Sequence, residues 1–241
     1  MRSCLGGTNS PGWHSLVPRS PPFGSSLCNE LGLTKNLAAL RTSRHFESTC
    51  LVNKSENGTP KNNSPIAAAE PPPTSHAWIS ELCETVRRLI DLGTPRCEAL
   101  TCLATAGETL AGPGSVVSIL VVDQEGLLRN GVSPNLPADY LAAIDRLKPD
   151  ANFGTCSAAA ATGCPIMTPD FLADEKWAEL RHLPLALGFA GAWSMPIKSD
   201  SGTVLGTFGT YFIDRRHPSP DEFRGVELLA STAALVLAMC H

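Results

Sequence analysis

Among the 241 residues there is no run of about 18 apolar side chains, so no membrane-spanning helix is expected. The opening Met1-Arg2-Ser3-Cys4-Leu5-Gly6-Gly7 carries a charge, yet the apolar stretch of a secretory signal does not follow it. Without that export route the Asn-x-Ser/Thr matches at Asn53, Asn57 and Asn62 have no glycosylation chemistry to serve. Nine cysteines are present but no Cys-x-x-Cys pair, which argues against a zinc site and for reduced thiols in a cytoplasmic protein. No Gly-x-x-x-x-Gly-Lys-Ser/Thr phosphate loop occurs, so nucleotide hydrolysis has no support. Nothing repeats at a fixed period, which removes solenoids and propellers. Positive charge is scarce where it would matter: residues 77–241 hold 12 basic against 19 acidic side chains, and an acidic body is a poor partner for nucleic acid.

What is present divides the chain in two. Residues 1–76 contain 9 of the 20 prolines, with 7 basic and 4 acidic residues, and show no sustained apolar period. Such a segment buries too little to offset the entropy of ordering. Residues 1–75 are therefore read as a disordered or low-complexity leader, or as upstream sequence translated from a misplaced start. Glu70-Pro71-Pro72-Pro73-Thr74 forms a stiff spacer. The folded domain is placed at 76–241.

In that domain Ser75 is positioned to cap a helix whose apolar residues Trp78, Ile79, Leu82, Val86, Leu89 and Ile90 recur at spacings of three and four. Thr94-Pro95 opens a second helix, with Thr94 as cap, that runs to Leu110 and stops at Gly112-Pro113-Gly114. Val116–Val122 and Leu127–Val132 read as a hairpin about Asp123-Gln124-Glu125-Gly126. A helix is expected over Pro137–Leu147, a short one over Ser157–Ala161 behind Gly154-Thr155-Cys156, and a brief strand at Ile166-Met167. Asp174–Leu187 reads as a helix whose last turn Pro184 threatens. Strands Ala190–Ile197 and Val204–Ile213 form a second hairpin, and Ser219–Met239 a final helix with the seam Val226, Leu229, Ala233 and Leu237. The sum is an α+β domain, an antiparallel sheet flanked by N- and C-terminal helices and helical insertions.

Several separated anchors then occur in one order. They are the strand Ser115–Asp123 with its acidic turn, Gly154-Thr155-Cys156-Ser157-x-x-Ala160, Gly163-Cys164-Pro165-Ile166, Asp170, Trp177, Gly188–Ile197, and Gly202-x-Val204-Leu205-Gly206-Thr207-Phe208-Gly209-x-Tyr211. This ordered set resembles the GAF domains, small sensory modules found mostly in bacterial signalling proteins, over about residues 78–240. The resemblance implies a ligand pocket between sheet and helical insertions, with Phe153, Cys156, Asp170, Trp177, Trp193, Ser194 and Tyr211 as its expected residues. It also implies a homodimer through the segments Trp78–Ile90 and Phe223–Leu237, a signalling partner protein, and an output domain. This chain ends at His241 straight after the last helix, so no output domain of its own is expected.

Cys156 is the one reactive candidate. A thiol at a helix N-terminus is activated by the helix dipole, whereas a small buried hydrophobe is inert. The same fold is similar to the free methionine sulfoxide reductases, which implies a thiol enzyme as the alternative function. Their further downstream cysteine has no counterpart in Phe171–Ile197, leaving only Cys164, so a non-enzymatic role is preferred. A covalent bilin is not expected, because Cys156 is followed by Ser157 and the Cys-His pair is Cys240-His241 at the end of the chain. Haem is not expected either, since His182 and His217 read as surface residues. Asp174/Glu175 and Asp221/Glu222 read as solvated, helix-starting charges. A third reading, a pure protein-interaction module, predicts a filled core.

Overall fold

The computed structural model describes residues 76–238. The leader, the Ser75 cap, Met239 and the Cys240-His241 pair lie outside the described residues.

Helix α1 (Ala77–Asp91) and helix α2 (Arg96–Ala111) form where the apolar spacing puts them. Pro95 itself occupies the cap position of α2, with ψ of 136°. Thr94 instead donates its backbone N–H to Leu89 O at 3.0 Å and closes the end of α1. Strands β1 (Val116–Val122) and β2 (Leu128–Val132) make the expected hairpin, its turn held by Asp123 Oδ1, which accepts from the N–H groups of Glu125 and Leu127 at 2.9 Å each.

The two insertions depart from expectation. The helix expected over Pro137–Leu147 stops early as α3 (Ala138–Ala143). Leu147 pairs as a bridge with Leu128, accepting its N–H at 2.8 Å, so β2 captures this stretch by backbone bonds that a continued helix would forgo. Helix α4 (Thr155–Thr162) and strand β3 (Ile166–Thr168) follow. Asp174–Leu187 is not one helix but a 3-10 turn at Glu175–Trp177 and a five-residue helix α5 (His182–Ala186). Pro184 lacks the N–H that would extend a helix back to Leu180 O, and Trp177 is drawn inward by a partner on α4 described below.

Strands β4 (Gly191–Lys198) and β5 (Val204–Phe212) complete an antiparallel sheet of order β2-β1-β5-β4-β3, and α6 (Pro220–Ala238) ends the described chain. Leu205 is the extra residue where the β4–β5 register shifts, so it packs toward the helices rather than sharing the face of Thr207.

Alternation sorts the sheet into two faces. On one, Val117, Ile119, Trp193, Met195, Ile197, Phe208 and Phe212 meet α1, α2 and α6. On the other, Leu120, Ala192 and Tyr211 meet α3, the Phe171–Trp177 stretch and Phe189. The stripes of α1 and α6 expected to make a dimer seam are consumed here: Ile79, Leu82, Val86 and Leu89 are buried with Val226, Leu229, Ala233 and Leu237 inside the domain.

Glu222, expected to be solvated, is 7 % exposed. It takes Arg216 in a two-pronged ion pair at 2.7 and 2.8 Å, and its exchange of bonds with Ser219 makes a capping box for α6. The same guanidinium donates to Ala111 O at 3.0 Å and lies 3.6 Å from the Phe212 ring centroid, tying α2, β5 and α6 together. No helix among the described residues is long and apolar enough to cross a membrane.

One contact governs how close α2 comes to the sheet. A Cβ at Gly107 would lie 2.7 Å from Phe208 Cζ. Gly107→Ala gains up to about 1 kcal/mol of helix propensity but overpacks a buried ring, at a cost of about 1–3 kcal/mol. A net loss of about 1–2 kcal/mol is expected in urea unfolding, partly recovered when Phe208→Leu is added.

Candidate functional site

The insertion face of the sheet is floored by small side chains. Ser118, Gly209 and Ser194 lie side by side across β1, β5 and β4, and Thr207 is two residues along β5. Helix α4 lies over this floor. It starts at Gly154, whose φ of 62° suits glycine, and a Cβ at Gly209 would come within 2.8 Å of Cys156 Sγ. Its Ala158 and Ala159 are fully buried, which a close helix-to-sheet approach requires.

A relay of polar groups pins the insertion to α4. Trp177 Nε1 donates to Thr155 Oγ1 at 2.8 Å, Thr155 Oγ1 to Thr168 Oγ1 at 3.1 Å, and Thr168 Oγ1 to Asp174 Oδ2 at 2.8 Å. Asp174 also takes Lys176 Nζ at 2.8 Å and caps the 3-10 turn through Lys176 N. It is a partly buried anchor rather than a solvated helix-starting charge. Burial pushes the Asp174 carboxyl up, but the hydrogen bonds from Lys176 and Thr168 and the Lys176 charge outweigh that and hold it below the ordinary carboxylate range. Gly154 N donates to Lys176 O at 2.7 Å, so the relay and the entrance to α4 form one unit.

Around this unit sit aromatic rings. Phe171 and Trp177 meet edge to face at 4.5 Å, Phe189 and Tyr211 at 5.4 Å, and the Tyr140 hydroxyl donates to that of Tyr211 at 3.1 Å. Burial raises the pKa of both phenols, so they are neutral hydrogen-bonding groups at physiological pH.

Of the seven residues singled out in the sequence, the fold gathers Cys156, Trp177, Ser194 and Tyr211 on this face. Trp193 goes to the other: its ring stacks on Phe223 of α6 at 5.7 Å, because strand alternation opposes it to Ser194. Asp170 is half-buried in a turn, where it caps Leu172 N at 2.9 Å and pairs with Arg215 at 3.1 Å. Phe153 is half-buried in the turn before α4. His182 and His217 are both exposed.

Residues not singled out from the sequence are Tyr140, Thr155, Thr168, Phe171, Asp174, Phe189 and Thr207. For Thr207 the signal was there, since it shares a strand face with Tyr211. For Thr155, Thr168 and Asp174 no local pattern exists, because they meet from three separate elements.

Cys156 does not behave as a dipole-activated thiol. Burial pushes its pKa up, and the nearby hydroxyls of Ser194 and Thr207 only moderate the rise. Cys83, Cys97, Cys156 and Cys164 are free thiols as expected, whereas Cys102 is disulfide-bonded.

A helix-backed antiparallel sheet whose second face is roofed by short helices defines a small α+β module of the sensory type of fold. The chain belongs to the GAF domain family, whose model matches residues 99–238. It is 29% identical over 141 residues to the methyl sulfide methyltransferase-associated sensor of Methanosarcina acetivorans, covering 58% of this chain. The match spans only 14% of that sensor's length. The fold is similar to the GAF domain of a phosphoenolpyruvate-protein phosphotransferase from Coxiella burnetii, with a TM-score of 0.54 at 18% identity, covering 66% of this chain and 92% of that one. The corresponding Acinetobacter domain gives a TM-score of 0.51 at 12% identity, covering 68% and 94%.

Two outcomes follow from the relay. Thr155→Val strands the Trp177 indole N–H and is expected to lower stability by about 1–3 kcal/mol in urea unfolding, with Thr155→Ser close to wild type. Because the folded-state pKa of Asp174 is depressed, its contribution is present at neutral pH and lost as pH falls through that depressed value. Asp174→Asn is thus expected to be less stable than wild type at pH 7 and to lose less stability on acidification, read from melting temperature against pH.

Proposed function

We propose that this GAF domain is a cytoplasmic sensing module that binds a small molecule between α4 and the sheet and reports its presence through α1 and α6. The observation that carries the reading is the floor of the insertion face, where two buried hydroxyls, Ser194 and Thr207, have no hydrogen-bond partner beside the Cys156 thiol. Buried polar groups left unpaired cost stability, and a guest that pairs them recovers it. The sensor named among the relatives supports the same reading. What supports leaving catalysis out is the raised Cys156 pKa, which leaves little thiolate at neutral pH.

The placement differs from the sequence expectation in one respect. Trp193 belongs to the helix layer that would relay the signal, stacked on Phe223, and the guest is flanked by Tyr140, Tyr211 and Cys156 instead. A route from pocket to helices exists through β4, since Ser194 and Trp193 are neighbours on opposite faces.

A second reading, association with another copy or with a signalling partner, is favoured by the outer face of α6. Leu228 and Leu235, seven residues apart, are 40% and 39% exposed there with Ser231 between them. Seven residues is two helical turns, so the pair forms one apolar ridge.

Native mass spectrometry of the full chain tests both. A small retained mass on a dimer is the expected result, with Leu228→Glu/Leu235→Glu giving a monomer that keeps the mass. A bare protein that is also not stabilised by any compound in a broad thermal-shift screen overturns the sensing reading.

A further inference from the structure

The polar groups on the insertion face form a set without charge. Ser194 and Thr207 sit on β4 and β5, both fully buried, and neither side-chain oxygen has a hydrogen-bond partner. Both lie against Cys156 closely enough to moderate its titration, though neither reaches hydrogen-bond geometry with it. Cys156 nevertheless keeps some accessible surface while burial dominates its titration. A residue surrounded by protein yet still touched by solvent lines an internal crevice rather than the outer surface.

The neighbours of that crevice are as informative as its floor. The side chains that act on Cys156 are Ser194 and Thr207, those on Tyr140 are Tyr211 and Cys156, and those on Tyr211 are Tyr140 and Cys156. The five residues thus form a closed group in which no cation or carboxylate takes part. The ionic groups nearest in the chain are engaged elsewhere, Lys176 with Asp174 and Arg215 with Asp170. An ion entering here would lose its hydration against no opposite charge. A neutral molecule with an exposed oxygen would instead meet two hydroxyls free to donate.

We propose that the crevice takes a compact, uncharged molecule that presents a carbonyl or amide oxygen to the Ser194 and Thr207 hydroxyls, flanked by Cys156 and the Tyr140–Tyr211 pair. This rests on the sensing reading and narrows it to one class of guest. Anionic nucleotides fall outside that class.

The test uses the wild-type full chain and compares a neutral with an anionic alkylating reagent at individual cysteines, read by peptide mass spectrometry. Cys164 is exposed and serves as the internal reference. The ratio of iodoacetamide to iodoacetate labelling is expected to be about tenfold higher at Cys156 than at Cys164, reflecting the cost of bringing a carboxylate into the crevice. N-methylacetamide, a neutral carbonyl probe, is expected to slow Cys156 labelling saturably, with its affinity about fivefold weaker in each of Ser194→Ala and Thr207→Val. Equal ratios at the two cysteines, or protection by cyclic GMP and not by N-methylacetamide, overturn the uncharged class and leave the sensing reading standing. Protection by N-methylacetamide that both variants retain unchanged also overturns the proposal, because the probe then binds elsewhere. Cys156 untouched by both reagents in the folded protein removes the crevice, and both readings with it.

Discussion

Two consecutive residues of the central strand organise this domain. Phe208 points to one face of the sheet and is fully buried under α2, where only the absence of a side chain at Gly107 lets the helix sit so close. Burying such a ring contributes about 1.5–3 kcal/mol, a sizeable share of the stability of a domain this size. Gly209 presents no side chain to the other face, and α4 comes down on it until Cys156 Sγ fills the space. The two faces therefore differ in kind: a bulky row of Ile119, Phe208 and Met195 against the helices, and a small row of Ser118, Gly209 and Ser194 against the insertions. The first makes a rigid support, the second a floor on which something else rests.

What rests there is held by polar rather than apolar contacts at its most important point. The Trp177–Thr155–Thr168–Asp174 relay locks the insertion to the start of α4, and its members are satisfied, so it orders the roof of the crevice at little desolvation cost. Beneath the roof Ser194 and Thr207 are left unpaired. This contrast between a completed network and an incomplete one a few residues away gives the insertion face its functional character. Satisfied groups fix geometry, and unsatisfied groups of the right geometry are available to a guest.

Much of the fold was legible in the chain. The period of three and four in 78–90, the β-branched run at 116–122, the hairpin turns at Asp123 and Ser199, and the helix-starting acids of 219–239 all report local preferences that the tertiary structure kept. The ordered anchors pointed to the family, and the small residues of 205–211 pointed to a sheet with an open middle. Legibility ended in the two insertions. Over 137–147 and 174–187 the apolar spacing was helical, but Leu147 was taken by the edge of β2, and the latter stretch was broken by Pro184 and by the pull of Thr155 on Trp177. Glu222 was misjudged for the same kind of reason, since its partner Arg216 comes from the β5–α6 loop.

The sequence alone determined the α+β class, the order of elements and the face each strand residue takes, because helical and strand periods are properties of neighbouring residues. That was enough to oppose Trp193 to Ser194 before any coordinates. Only the tertiary structure decided which face belongs to the terminal helices, that Cys156 is desolvated rather than activated, and that Ser194 and Thr207 meet it without partners. Each of those facts depends on the convergence of α4, β4 and β5, and the energy of a buried hydroxyl or thiol is set by what surrounds it in space.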